Sequence, residues 1–230
     1  MSVVSQFDTC SKCGSVAEDG VPLQRCSRCK LALYCDKKCQ TTAWKGHKRV
    51  CKALPPSLKL SNPEESVKAT RLLGGYNRPF YPRDTVVPPS HPVWTTGAIS
   101  PISQIVGVPL LIHREVEEQS LSDPSKGDKD NQAVTYLMID PETGLAPARW
   151  QKNIGPVTIV RADHKHLSPV ALEMIWMFCD EILERFGDEG TPPLSKYRKE
   201  EFDEFCRKYQ EEYVMNNIRA DEISTETLPL

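Results

Sequence analysis

A small zinc-stabilised finger followed by an α+β domain is the fold class this chain predicts, and three observations predict it. Cysteine is confined, with seven of the nine lying before residue 52. Those seven and His47 fall into four ligand pairs, Cys10-x2-Cys13, Cys26-x2-Cys29, Cys35-x3-Cys39 and His47-x3-Cys51. Downstream, short apolar runs are followed by two long stretches of helical periodicity, the order of an α+β body. At 230 residues the chain has room for one ordinary domain and a small module.

Each ligand pair can grip one metal from two sides. A two-residue gap suits the tight turn of a zinc knuckle, and a three-residue gap places both ligands one helical turn apart on the same face. Eight donors make two closed tetrahedral sites. A closed site leaves no position for water or substrate, so the two zinc ions are expected to hold the fold rather than to do chemistry. Spacing alone leaves open which pairs share a metal. Cys179 and Cys206 sit far downstream in helical patterns and read as buried structural thiols.

The N-terminus MSVVSQFDTC lacks a charged segment followed by a long apolar one, and no run approaches the roughly eighteen apolar residues of a membrane span. The expectation is an intracellular, reducing compartment, nucleus or cytoplasm, with no membrane, where cysteine spacing of this kind means metal rather than disulfides. Charge is unevenly divided. Residues 1–53 hold ten Lys/Arg against four Asp/Glu, and the remaining 177 hold nineteen against twenty-seven, giving formal balances of +6 and −8. Seven thiolates and two Zn²⁺ contribute −3 between them, so the folded finger carries about +3.

The order of elements follows from local signals. Residues 10–51 form the finger, and residues 52–63 (KALPPSLKLSNP), with three prolines, have the composition of a linker. The α+β domain runs from 64 to 219, and residues 220–230 read as a disordered tail. Asn62-Pro63-Glu64-Glu65 combines a cap, a proline at the first helical position and a capping-box glutamate, which predicts a short helix from Glu64 to Leu73 ended by Gly74-Gly75. A proline-rich irregular stretch to about Pro101 follows. Gly107–His113, Ala133–Ile139 and Pro156–Ala162 read as strands, and the polar segment between the first two as a mobile loop. Ser168-Pro169 then opens a helix whose Ala171, Met174, Ile175, Phe178, Ile182 and Phe186 recur at helical spacing until Gly187. A second helix, about Lys196 to Val214, is more charged, with Tyr197, Phe202, Phe205, Tyr209 and Tyr213 on its narrower apolar face.

Around the ligands, Tyr34, Gln40, Trp44 and Lys48 stand at fixed offsets in Tyr34-Cys35-x3-Cys39-Gln40-x3-Trp44-x2-His47-Lys48-x2-Cys51. With the upstream cysteine pairs this segment resembles a MYND-type zinc finger. The resemblance covers residues 10–51. Residues 60–230 carry no motif of a characterised family and resemble only fungal proteins with an N-terminal MYND finger. The resemblance implies an interleaved ligand set, with Cys10, Cys13, Cys35 and Cys39 on one zinc and Cys26, Cys29, His47 and Cys51 on the other. It also implies a protein-interaction module, an adaptor in transcription or chromatin regulation that takes proline-containing peptide segments of other proteins, of the P-x-L-x-P kind. The positions matching the family's peptide groove are Ser27, Gln40 and Trp44. Trp44 offers a flat apolar face for proline or leucine, while Gln40 and Ser27 can hydrogen-bond an extended backbone. The plain structural alternatives are a lid over the second zinc for Trp44 and a solvated helix residue for Gln40. Tyr34 reads as a core contact.

Two rival functions are weaker. A divergent methyltransferase-like enzyme would need the glycine-rich cofactor segment, Asn-His pair and catalytic tyrosine motif of a SET domain, none of which is recognisable, and the expectation is that the chain is not an enzyme. His164 and His166 lie in a polar turn suited to solvation or capping, while His91 and His113 are isolated in the sequence. Nucleic-acid binding would draw on Arg25, Arg28, Lys30, Lys37, Lys38, Lys45, Lys48, Arg49 and Lys52, but the small net charge of the metal-bound finger and the acidic body argue against it.

Overall fold

The computed structural model describes residues 10–13, 15, 23–29, 32–48, 51, 62–74, 80–115, 130–140, 144–188 and 197–215. It divides into two compact units, Met1–Leu58 and Lys59–Leu230. Most of the expected linker, the polar loop 116–129 and the tail 220–230 lie outside the described residues.

The finger is built on two short strands, β1 (Gln24–Arg25) and β2 (Leu33–Tyr34), paired antiparallel, and one helix, α1 (Lys37–His47). Asp36 starts the helix. Its backbone is extended (φ −152°), and its carboxylate accepts from the Cys39 backbone N–H at 2.7 Å. Lys45 stands in the last turn, where a cation suits the helix dipole. The unit has little apolar core besides its cysteines and the buried Tyr34.

The second unit contains a five-stranded sheet. In chain order its strands are β3 (Val67–Leu72), β4 (Pro82–Val87), β5 (Ala98–Ile99), β6 (Leu110–Arg114) and β7 (Val157–Arg161). Their spatial order is β4-β3-β7-β6-β5, and every neighbouring pair is antiparallel. Short helices α2 (Val93–Thr96), α3 (Ser103–Val106) and α4 (Gln132–Leu137) sit between strands. The long helices α5 (Pro169–Asp188) and α6 (Lys199–Met215) close the chain. Their described side chains end at Glu184 and Glu212. Fold class therefore agrees with the expectation: a finger followed by a mixed helix and sheet body.

Alternation along the strands divides the sheet into two faces. Leu72, Val157, Ile159, Leu110 and Ile112 point to one side and pack with Ala133, Val134 and Leu137 of α4 and Leu172, Ile175 and Phe178 of α5 in a single core. Burying each such side chain contributes about 1.5–3 kcal/mol. The second long helix packs on the first: Phe202 and Phe205 meet Phe178 with ring centroids 5.2 and 5.4 Å apart. On the opposite sheet face Ala69, Leu111 and Val160 are also buried, and α2, with its buried Val93 and Trp94, lies over β6 and β7. Two glycines are needed here. A Cβ on Gly97 would stand 2.4 Å from the Val93 carbonyl, and Gly107 ends α3 in the left-handed region at φ +72°.

Three expectations about elements are overturned. Residues 67–72 form a strand rather than the helix expected over Glu64–Leu73. Val67, Ala69 and Leu72 are buried, and pairing with both β4 and β7 outweighs the local capping signal. Ala133–Ile139 contains a helix rather than a strand. Asn131 accepts from the Val134 N–H and caps it, and its amide donates to the carbonyls of Leu72 and Gly155. The stretch read as irregular up to Pro101 holds β4, α2 and β5. The strands expected at Gly107–His113 and Pro156–Ala162 appear as β6 and β7, and the two terminal helices as α5 and α6.

Candidate metal centre and peptide groove

The eight ligands come together in two groups, Cys10, Cys13, Cys35 and Cys39 in one, Cys26, Cys29, His47 and Cys51 in the other, with the donor atoms of each group within 4.8 Å of one another. Local structure explains how. Cys26 follows β1 and Cys35 follows β2, so the ribbon delivers one ligand to each group. Helix α1 does the same, with Cys39 in its first turn and His47 in its last, roughly 12 Å apart along the axis.

Sulfur separations fit a shared tetrahedral ion. Cys13 Sγ lies 3.4 Å from Cys35 Sγ and 3.9 Å from Cys39 Sγ, and Cys26 Sγ lies 3.7 Å from Cys51 Sγ. A tetrahedron with Zn–S bonds of about 2.3 Å has edges of about 3.8 Å, whereas a disulfide would bring two sulfurs to about 2.0 Å. In the second group Cys29 Sγ is 3.4 Å from His47 Nε2, which assigns the ligand nitrogen. These donor sets fit two zinc sites, and all four protein ligands are present in each, as a structural site requires.

The thiols hold unequal affinities for their protons. Burial opposes ionisation of Cys10 and Cys26. Backbone N–H groups, of Cys13, Cys35 and Lys12 for the first and of Cys29 and Arg28 for the second, outweigh it and bring both down to about 6. Hydrogen bonding to Cys13 and Cys10 pushes Cys35 up to about 12, and burial with the neighbouring thiols pushes Cys51 to about 12. Four thiols this close cannot all be anionic without a cation among them. A zinc ion held by these four ligands would supply that charge in place of the remaining protons.

Tyr34 is buried against this second group, as expected of a core contact. Burial and the surrounding thiolates raise its hydroxyl to about 12, and its ring meets His47 edge-on at 6.1 Å. Trp44 also meets His47, its ring tilted at 59° with centroids 5.9 Å apart, yet keeps 39% of its surface exposed. The indole therefore touches a ligand of the second group while part of it reaches solvent. Gln40 is half-buried one helical turn before it, and Ser27 is exposed in the turn between Cys26 and Cys29.

Two histidines far apart in the chain meet in the second unit. His91 and His113 stand edge to face at 5.5 Å, so the reading of them as isolated is corrected. Beside them Arg71, Thr158 and His113 occupy one cross-strand row, and Glu115 accepts from Arg71 Nε and Thr158 Oγ1. The signal lay in strand register, which a single sequence does not display. Of the other pair, His166 Nδ1 accepts from the Lys68 N–H and His164 packs edge-on against Trp94 at 5.4 Å. Both positions are structural, and His166 ties the turn to β3 rather than capping a helix.

A metal-stabilised finger of two interleaved sites is the class of module this geometry defines. Residues 9–51 match the model of the MYND finger family, and this segment is a MYND finger. It is similar to part of a SET and MYND domain-containing protein of Dictyostelium discoideum, 53% identical over 47 residues, which are 20% of this chain and 9% of that protein. A histone-lysine N-methyltransferase of Homo sapiens is 54% identical over 52 residues, 23% of this chain and 11% of its own length. Tudor domain-containing protein 1 of Danio rerio is 45% identical over 42 residues, 18% of this chain and 4% of that protein. The chain thus spans about a tenth or less of these relatives, and the shared part is the finger. No solved structure matches the chain. Among the described residues no helix is long and apolar enough to cross a membrane. MYND fingers are protein-interaction modules, so the coarse function of residues 9–51 is binding to other proteins.

Proposed function

We propose that the finger captures short proline-containing segments of other proteins, of the P-x-L-x-P kind, through Trp44, Gln40 and Ser27, and that the chain acts as an adaptor in transcription or chromatin regulation. The observation that carries this reading is Trp44. A tryptophan held against a residue of the second metal group and still partly exposed is an apolar platform that costs little entropy to occupy. Gln40, a turn away on the same helix face, and the exposed Ser27 supply polar groups for the extended backbone of a peptide. On this reading the protein binds rather than catalyses, and its reduced thiols belong to the nucleus or cytoplasm.

The test is calorimetric titration of the zinc-loaded chain with such a peptide. Trp44→Ala should remove about 2 kcal/mol or more of binding with both zinc ions retained, and Gln40→Ala about 1 kcal/mol. Unchanged affinity in zinc-loaded Trp44→Ala would return the tryptophan to the role of a lid. Methyl transfer to histone peptides, abolished with the body intact by no change in the finger, would count against a pure binding protein.

A further inference from the structure

The helix that carries Gln40 and Trp44 also carries cations placed in two distinct ways. At about 100° per residue, Lys37 and Lys48 fall about 40° and 60° from the Gln40–Trp44 direction, whereas Lys38 and Lys45 fall about 140° and 120° from it. Lys48 is the C-cap and still has helical backbone, so it continues the same face. Both Lys37 and Lys48 are exposed, and among the described residues neither ammonium has an ion-pair or hydrogen-bond partner. Asp36, the acid nearest in sequence, is occupied in capping Cys39. The Gln40–Trp44 face is therefore bracketed by two positive charges that are unpaired among the described residues.

Their separation has a meaning. Eleven residues of helix place Lys37 and Lys48 roughly 16 Å apart along the axis. A five-residue extended proline-type segment covers about 15 Å. A P-x-L-x-P core lying along Gln40 and Trp44 thus ends where the lysines begin, and the residues that meet them are those flanking the core.

We infer that the groove selects proline-containing peptides whose core is flanked on both sides by aspartate or glutamate, held by Lys37 and Lys48. This rests on the peptide reading above and adds a charge rule to it. Exposed pairs contribute modestly, so the two lysines act as a specificity device that raises affinity for acidic flanks and repels basic ones.

The experiment titrates the zinc-loaded full chain with three synthetic peptides sharing one P-x-L-x-P core, flanked by Glu, Ser or Lys, at low and high salt. The Glu-flanked peptide should bind about five- to twentyfold more tightly than the Lys-flanked one at low salt, with the gap narrowing at high salt. Lys37→Glu with Lys48→Glu should reverse the order. Lys38→Glu with Lys45→Glu, the same change in net charge on the remote face, should leave it, with zinc content measured on both. Equal binding of all three peptides overturns the charge rule while leaving peptide capture intact, and so does reversal by the remote pair. Failure of every peptide to bind defeats both readings. Duplex DNA that binds more tightly than the Glu-flanked peptide, and is lost in Lys37→Glu with Lys48→Glu, assigns the lysines to phosphate and overturns the inference.

Discussion

Hydrogen bonds fix the proton positions of the two histidines that meet in the second unit. Thr96 Oγ1 gives its single proton to the Pro92 carbonyl at 2.9 Å, so His113 Nδ1 must donate to that hydroxyl at 3.0 Å. The Val93 N–H donates to His91 Nδ1 at 3.1 Å, so neutral His91 carries its proton on Nε2. Burial lowers the pKa of both, His91 lowers that of His113 further, and Glu115 exerts a smaller opposing pull on each. A base whose folded pKa is depressed adds stability that is full above its unfolded value, about 6.5, and is lost as the pH falls below it. Ring-proton titration of the full chain should therefore place both midpoints below 6.5, and acidification through that range should destabilise the body. Glu115 works in a lower window. Burial raises its carboxyl, but the hydrogen bonds from Arg71 and Thr158 outweigh this and hold it below the usual range. Its contribution is present above about pH 4.3 and lost as the pH falls through the depressed value. Glu115→Gln should cost about 1 kcal/mol at pH 7 by denaturant titration, since Arg71 is 42% exposed and screened by water.

At the level of elements, α1 is the reason to expect that the finger cannot be divided. It is one helix with a ligand for each group, and the β1–β2 ribbon likewise serves both. Removing either metal would release one end of each element, and the few apolar contacts of this unit cannot hold them. Cys35→Ala or His47→Ala should therefore lower bound zinc towards zero per chain rather than to one, with loss of α1 by circular dichroism of the finger. A folded variant with one tightly held zinc would contradict the interleaved sites. The helix also depends on its cap. Asp36→Ala should cost about 1 kcal/mol of finger stability, read as a shift in the chelator concentration that releases zinc.

On the scale of the whole molecule the two units rely on different forces. The second has an apolar core running from the sheet through α4 and α5 to α6, whereas the first gathers few apolar groups around two sets of donors that fit zinc. We expect residues 60–230 to keep their secondary structure and their buried tryptophans in a strong chelator that strips the finger. Collapse of the near-ultraviolet signal of Trp94 and Trp150 on metal removal would show that the body needs the finger for its stability.

The sequence by itself determined the metal chemistry and the long helices. Ligand identity and spacing are local, so Cys10 to Cys51 could be read as zinc pairs from the chain alone, and α5 declared itself by twenty residues of helical periodicity behind a Ser-Pro start. The proposed peptide-binding positions Ser27, Gln40 and Trp44 rest on the resemblance, because nothing in their spacing says which part of Trp44 faces water. Tertiary structure decided the rest wherever a partner distant in the chain supplied the energy. Spacing permitted several pairings of the four ligand pairs, and only the ribbon and α1 together bring Cys10 to Cys39 and Cys26 to Cys51. Residues 67–72 carry a good helix start, yet become a strand because β4 and β7 satisfy their backbone on both sides. Ala133–Leu137 is a short apolar run that fits either structure, and Asn131, bonded to carbonyls of Leu72 and Gly155, settled it as a helix. His91 and His113 met through strand register and the placement of α2, and register is set by which faces are buried, a property of the assembled sheet rather than of any one segment.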